Sequence, residues 1–282
     1  MLSSRCCRQQ WRVLFGVRAL AVIAVCIATA LAAEALFHLI TKREQTVGDL
    51  SAVVTGLLLA LNLPANIPLW QAVIGTVFAI VIVKCCFGGI GCNVVNPAIT
   101  GRVFMLLAFG SMATAAFPVD STSSATPLAE LGGGTMPGLL DLFLGKTGGT
   151  IGETCALALL IGFVYLLIRK VITWHLPVVY IATVFVFTLA VLKGDASMAL
   201  AYTLSGGLLI GAIFMATDYV TSPSTPIGKV IFGLGAGIIT VLIRFWGKYP
   251  EGVSFAILLM NILNPYIEKW STKKVFGGRK NE

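Results

Sequence analysis

The chain has 282 residues, 57% of them hydrophobic and 11% charged, with a formal net charge of +8. Soluble domains carry roughly a quarter charged residues, so this composition excludes an ordinary water-solvated globule and indicates a chain solvated mainly by lipid. The positive balance is no nucleic-acid signal. The basic residues gather at the two ends (Arg5, Arg8, Arg12; Lys269, Lys273, Lys274, Arg279, Lys280), as the positive-inside rule expects of cytoplasmic segments, and few are left to track a phosphate backbone.

A span needs about 20 apolar residues, which leaves room for about nine or ten with short connections. Nine apolar segments are predicted, at about 13–40, 50–62, 68–86, 91–110, 151–168, 172–192, 198–217, 226–244 and 251–267. Pro64, Pro68, Gly148-Gly149, Pro177, Pro223 and Pro250 punctuate them. Apolarity is nearly all-round within each segment, the pattern of buried or lipid-facing helices. The first segment has the basic start of a signal peptide and Ala30-Leu31-Ala32 as a cleavage pattern, but its apolar stretch runs on to Ile40, so it reads as a retained helix.

Charge then sets an expected orientation. Both basic termini and Arg169-Lys170 are expected in the cytoplasm, and the 111–150 connection, with Asp120, Glu130 and Asp141 against Lys146, is expected outside. Nine full crossings would separate the termini. The short segment 50–62, ending at Leu63-Pro64, is therefore expected to enter and return, which leaves Lys42 and Arg43 outside. The expected organisation is a cytoplasmic N-terminus (1–12), a first membrane repeat (13–110), an exterior loop (111–150), a second repeat (151–268) and a cytoplasmic tail (269–282).

An internal repeat supports this division. Thr55–Leu61, Pro64 and Pro68, a span, a Gly-rich turn and Asn96-Pro97 are matched in order by Ile210–Ala216, Pro223 and Pro226, a span, Gly247 and Gly252, and Asn264-Pro265. Repeats with broken helices place a site near mid-membrane, where free backbone groups converge. Arg18, Glu34, Lys84, Arg102, Glu153, Asp218 and Arg244 lie inside or beside spans, where charge is costly unless paired or facing a pathway. Glu153 and Asp218 are the candidates for handling Na⁺ or a proton; those nearer span ends have snorkelling as the plainer explanation.

Two motifs carry chemistry. Gly88-Gly89-Ile90-Gly91-Cys92-Asn93-Val94-Val95-Asn96-Pro97-Ala98 offers close backbone approach and two amides for ring heteroatoms; the alternative is a helix-breaking turn. It lacks the spacing and preceding strand of a dinucleotide fingerprint. Asp120–Ala129 contains Ser123-Ser124-Ala125-Thr126-Pro127, where proline pushes Thr126 toward extended backbone; by composition alone it is a loop tract. The cysteines (Cys6, Cys7, Cys26, Cys85, Cys86, Cys92, Cys155) form no CxxC pair and only two His exist, so no metal site is expected and small buried thiols are the plainer reading, though an iron–sulfur site at Cys85/Cys86/Cys92 is conceivable.

The whole chain resembles the D subunits of Rnf ion-translocating electron-transport complexes and, more distantly, the B subunits of Na⁺-translocating NADH:quinone reductases. The resemblance rests on Thr55–Pro64, Gly88–Ala98, Ser123–Leu128, Gly148–Leu160, Phe214–Pro223 and Gly252–Tyr266, in the family's order. It implies an all-α inverted-repeat membrane bundle similar to urea transporters. It implies FMN joined by a phosphoester to Thr126, with Ser123 and Ala125 completing the motif and Gly88, Gly89, Asn93 and Asn96 near the flavin. This chain has Ser124 where the family usually has Gly. The resemblance extends to a second, non-covalent flavin such as riboflavin. It implies an inner (cytoplasmic) membrane protein, not active alone, assembled with the other Rnf components (A, B, C, E and especially the exterior FMN-bearing G). Such a complex couples reduced ferredoxin and NAD⁺ to Na⁺ or H⁺ export. A solute channel or transporter built on the same bundle is the alternative.

Overall fold

The computed structural model describes residues 17–109, 138–144, 149–247 and 252–272. Among them the fold is all-helical. α1 is Val17–Thr41, α2 Ser51–Leu61, and α3 Leu69–Val77, continued by a π-helical stretch Phe78–Cys85. α4 is Pro97–Ala108, α5 Leu139–Leu144 and α6 Ala156–Ile168. α7 is His175–Val191 and α8 Ala196–Leu204. α9 is Leu208–Ile210, continued by π-helical Gly211–Met215, followed by α10 Pro226–Trp246 and α11 Val253–Ser271.

Long apolar side chains cover the outside: Leu36, Leu39 and Ile40 on α1, Ile161, Val164 and Ile168 on α6, and Leu234, Ile238 and Leu242 on α10 are exposed. Arg18–Thr41 and Pro226–Trp246 are each long and apolar enough to cross a bilayer, and α8 with α9, bent by 63° at Ser205–Gly207, forms a third such unit. The opposite side of α10 is built from small residues. A Cβ on Gly233 would lie 3.2 Å from the α7 backbone, and one on Gly237 only 2.6 Å from Thr183 Cβ. The two backbones thus approach as membrane helices do when small residues line the seam, and Tyr180 and Thr240 hydroxyls close it with a buried 2.7 Å hydrogen bond.

Side-chain contacts fix which helix ends share a face. At one face, Lys84 at the end of α3 reaches both Glu34, late in α1, and Ser51, at the start of α2. The hydroxyl of Tyr219 donates to Val171 O, Lys229 Nζ donates to Thr173 Oγ1 at 3.0 Å, and Ser224 Oγ to Glu268 Oε1 at 2.5 Å. A cavity wall shared by Ser51, Lys84, Ile172 and Asp218 joins these groups. At the other face Arg18 donates to Asn66 O at 3.4 Å, and Trp70 meets Phe109 edge-on with ring centroids 5.3 Å apart.

The segment 50–62 therefore does not return to the side it entered from. α2 alone rises only about 17 Å, but the non-helical continuation from Asn62 carries the chain on to Asn66, beside Arg18. All nine segments run between the faces, and Lys42 and Arg43 follow the end of α1 that shares a face with Arg169-Lys170. The expectation of Lys42 and Arg43 on the far side is corrected. The described ends, Val17 and Ser271, lie on opposite faces. Residues 1–12 and 273–282, most of 111–150, and the orientation assigned to them fall outside the described residues.

The repeat has inverted topology. α2, α3 and α4 run opposite to α9, α10 and α11 respectively. One detail departs from the sequence match: Asn96-Pro97 starts a helix, whereas Asn264-Pro265 lies inside α11.

Candidate functional site

The Gly-rich turn is shaped by three glycines in the left-handed region, Gly88 (φ 117°), Gly89 (φ 91°) and Gly91 (φ 86°), a conformation side chains resist. It ends at Asn96, whose Oδ1 accepts from Ala98 N (3.0 Å) and Ile99 N (3.3 Å), capping α4 with Pro97 in its first position. The same amide donates through Nδ2 to Met215 O at 3.2 Å, stitching the first repeat to the end of the π stretch in the second. Asn62, at the break after α2, donates to Met215 Sδ at 3.3 Å. Asn261 on α11 completes the join when its amide is turned to match its neighbours: the nitrogen then donates to Ile257 O and Thr221 O, both at 3.2 Å, and the oxygen accepts from Asn96 N at 3.1 Å. Both broken segments thus meet at one point, and asparagine side chains supply hydrogen bonds there in place of the missing helical partners.

Above this junction opens a cavity of about 430 Å³, lined by Thr55, Leu58, Lys84, Gly91, Asn93, Asn96, Phe214 and Asp218 among others. That volume lies in the range of small-molecule sites, and mostly apolar walls with a few convergent polar groups are their usual make-up. Asn93 Oδ1 is buried with no hydrogen-bond partner among the described residues. An unpaired buried carbonyl is costly unless a ligand or water supplies a donor. Asp218, in the loop after α9, accepts from Thr221 Oγ1 at 3.1 Å, and burial pushes its carboxyl above the usual range.

The structure therefore brings Asn93, Asn96 and Asp218 to one cavity. Gly88 and Gly89 bend the chain into it but do not line it; Gly91 does. Lys84 was legible only as a span charge; its part in the wall depends on α3 ending beside α1.

Glu153 lies elsewhere. Its Oε1 is 3.3 Å from Arg102 Nη2, both side chains being 6% exposed, and Arg102 Nη1 donates to Asn62 Oδ1 at 2.8 Å. A Cβ on Gly207 would stand 2.6 Å from Glu153 Oε1, so the α8–α9 break is where this carboxylate fits. The chain leading into α6 is tied to α2 as well: Ile151 N donates to Leu63 O at 3.2 Å and Gly152 N to Leu61 O at 2.7 Å. Glu153 thus sits in an ion pair joining the two repeats.

Ser123, Ala125 and Thr126 lie outside the described residues. The topology still bears on them. α4 starts at the Gly-rich turn and runs about 18 Å to the opposite face before the 111–150 connection begins. The turn and the loop thus leave opposite ends of one helix.

The NQR2, RnfD, RnfE family model matches residues 9–277. The chain belongs to this family. The D subunit of the Na⁺-translocating ferredoxin:NAD⁺ oxidoreductase complex of Acetobacterium woodii is 47% identical over 271 residues, 93% of this chain and 84% of that one. The D subunit of the proton-translocating ferredoxin:NAD⁺ oxidoreductase complex of Clostridium ljungdahlii is 40% identical over 94% of this chain and 86% of its own. The corresponding D subunit of an ion-translocating oxidoreductase complex of Escherichia fergusonii is 36% identical over 94% and 89% respectively. All the cavity residues, the Arg102–Glu153 pair and the Ser123–Leu128 motif fall inside the stretch matched by the NQR2, RnfD, RnfE family.

Proposed function

We propose that this chain is the integral-membrane flavoprotein subunit of an ion-translocating ferredoxin:NAD⁺ oxidoreductase complex. It carries FMN as a phosphoester on Thr126 and passes electrons across the cytoplasmic membrane in coupling to Na⁺ or H⁺ export. The observation that carries the reading is the 47% identity over 93% of the chain to a relative named as the D subunit of such a complex. The names of the relatives divide between Na⁺ and proton, so they do not choose the ion.

Charge supports a sidedness. Lys42, Arg43, Arg169, Lys170 and Lys229 gather at the face of the cavity, which the positive-inside rule assigns to the cytoplasm. The 111–150 connection then belongs outside, where Thr126 offers its hydroxyl and the exterior FMN-bearing component of the complex is the partner. The cavity suits a second, non-covalent flavin on the opposite side. Asn93 Oδ1 offers an acceptor to a ring N–H, and Thr55, Leu58 and Phe214 give the ring apolar walls. A flavin supplies electron transfer singly or in pairs; the protein supplies position, exclusion of water and the charge around it. The other components of the complex and the bilayer complete the surroundings.

The test is the intact mass of the chain purified with its complex from cells that contain the flavin-transferring enzyme. It should exceed the translated mass by one FMN less water, and the denatured band should fluoresce. Thr126→Ala should lose both signals and still insert. A bare wild-type mass would refute the reading and favour a channel.

A further inference from the structure

A second buried cluster lies beside the cavity. On α1, Glu34 and His38 stand one turn apart, 1% and 6% exposed, and Cys85, 1% exposed, closes on them from the end of the π stretch. One carboxylate oxygen, one ring nitrogen and the Cys85 Sγ lie within 4.8 Å of one another. A tetrahedral ion with ligands at about 2.0–2.3 Å needs donors a little under 4 Å apart, so the cluster must contract by about an ångström.

The hydrogen bonds show which atoms are committed. Glu34 Oε1 accepts from Lys84 Nζ at 2.7 Å and from Thr46 Oγ1 at 2.9 Å. The single hydroxyl proton of Thr46 is thereby used, so the 3.2 Å contact between Thr46 Oγ1 and His38 Nε2 requires Nε2 to carry the proton. That tautomer leaves Nδ1 as a bare lone pair. Glu34 Oε2 and His38 Nδ1 are both buried without a partner among the described residues. A ligating histidine held through its other nitrogen, and a carboxylate whose second oxygen is held by a cation, are the supports that metal sites use. Lys84 is anchored in turn on Ser51 Oγ at 2.5 Å, which donates to Asp49 at 2.7 Å, so its charge has a second carboxylate to answer it.

The geometry points to a site for a zinc-class divalent cation, held by the Glu34 carboxylate, the His38 imidazole and the Cys85 thiolate, with a fourth position open to water. Binding forms the metal–sulfur bond and releases the Cys85 thiol proton to solvent. Mixed N, S and O donors suit zinc and cobalt rather than Mg²⁺ or Ca²⁺. Ser51 and Lys84 belong to both the cluster and the cavity wall, so the cavity is the entry route.

The experiment titrates the purified full-length chain in detergent with Co²⁺ after chelation, then with competing Zn²⁺. Metal content after desalting is measured by mass spectrometry. One equivalent should bind, with a thiolate-to-cobalt charge-transfer band that Zn²⁺ abolishes. Cys85→Ser should lose the band and His38→Asn should lose the bound equivalent. Thr46→Val, which frees the imidazole ring, should weaken binding roughly 10–100-fold. Cys86→Ser and Cys92→Ser, at exposed thiols, should change neither. No band, a band that survives Cys85→Ser, or one that vanishes with Cys86 or Cys92 would overturn the assignment. None of these readouts needs flavin or turnover, so they stand apart from the redox reading.

Discussion

Breaking the Glu34–Lys84 ion pair gives the sharpest test of how this bundle holds together. The pair is 2.7 Å long, its side chains are 1% and 2% exposed, and it fastens α1 to the end of α3. At an effective dielectric of about 20, two unit charges at that separation attract by about 6 kcal/mol. Desolvating each ion costs several kcal/mol, so the intact pair contributes little net stability. Removing one partner is different, because the other charge stays buried. Among the described residues, Lys84→Met leaves Glu34 with Thr46 as its remaining hydrogen-bond donor and Oε2 still unpaired. The expected loss is about 3–5 kcal/mol. At roughly 2–4 °C per kcal/mol for a chain of this size, the melting temperature should drop by about 10 °C.

Glu34→Gln should cost less, because Lys84 keeps its bond to Ser51 and, behind it, the Asp49 carboxylate. The double variant Lys84→Met with Glu34→Gln removes both charges, and Gln can keep the Thr46 bond, so most of the loss should return. The assay is thermal unfolding of the purified chain in detergent with chelator present, read by tryptophan fluorescence. Two single variants that melt within a degree of the wild type, or a double variant whose loss is the sum of the singles, would refute the argument.

Three further outcomes follow from the same geometry. Gly237→Ala sets a Cβ 2.6 Å from Thr183 Cβ and 3.3 Å from the Tyr180 carbonyl, whereas Gly235→Ala meets only the flexible end of Met260. The first should cost about 1–3 kcal/mol of stability and the second clearly less, by the same melting assay. Asp218 binds its proton more tightly folded than unfolded, so the folded state holds more protons between the two pKa values and stability falls as pH rises through that window. Asp218→Asn should flatten the slope above pH 4 and match or exceed the wild type at neutral pH. Gly207→Ala drives a methyl against Glu153 and Arg102 and should destabilise the join between repeats, while Gly89→Ala, with no atom within 4 Å, should be felt only as left-handed backbone strain.

The nine segments were legible because each is a run of apolar residues between breakers, and a lipid-solvated helix leaves that trace whatever its neighbours do. Sidedness was less legible. Arg5, Arg8 and Arg12 argued for one side and Lys42 and Arg43 for the other, and sequence alone offered no way to weigh them. The contacts of Arg18 with Asn66 and of Glu34 with Lys84 show only that Lys42 and Arg43 follow the end of α1 that shares a face with Arg169-Lys170. Charged residues in spans were visible individually, but Glu34 and Lys84 are 50 positions apart, and Arg102 and Glu153 51. No local pattern announces such pairs. His38 could have been found: Glu34-x-x-x-His38 places both on one helix face. Cys85 was visible only beside Cys86 and Cys92; its approach to Glu34 and His38 depends on the π stretch that turns the end of α3.

The separation of the Gly-rich turn from the Thr126 loop constrains any redox reading of this chain. Were Asn93 and Thr126 parts of one flavin site, either substitution would disturb the same cofactor. With α4 standing between them, the two should act independently: Thr126→Ala should remove covalent FMN and leave non-covalent flavin at wild-type stoichiometry. Asn93→Leu, which withdraws the unpaired cavity acceptor, should lower the non-covalent flavin and leave the covalent adduct intact. Flavin extracted with acid before and after proteolysis separates the two pools. Loss of covalent FMN in Asn93→Leu, with normal insertion, would mean that the loop folds back along α4 to the cavity, and the two-sided arrangement would have to be given up.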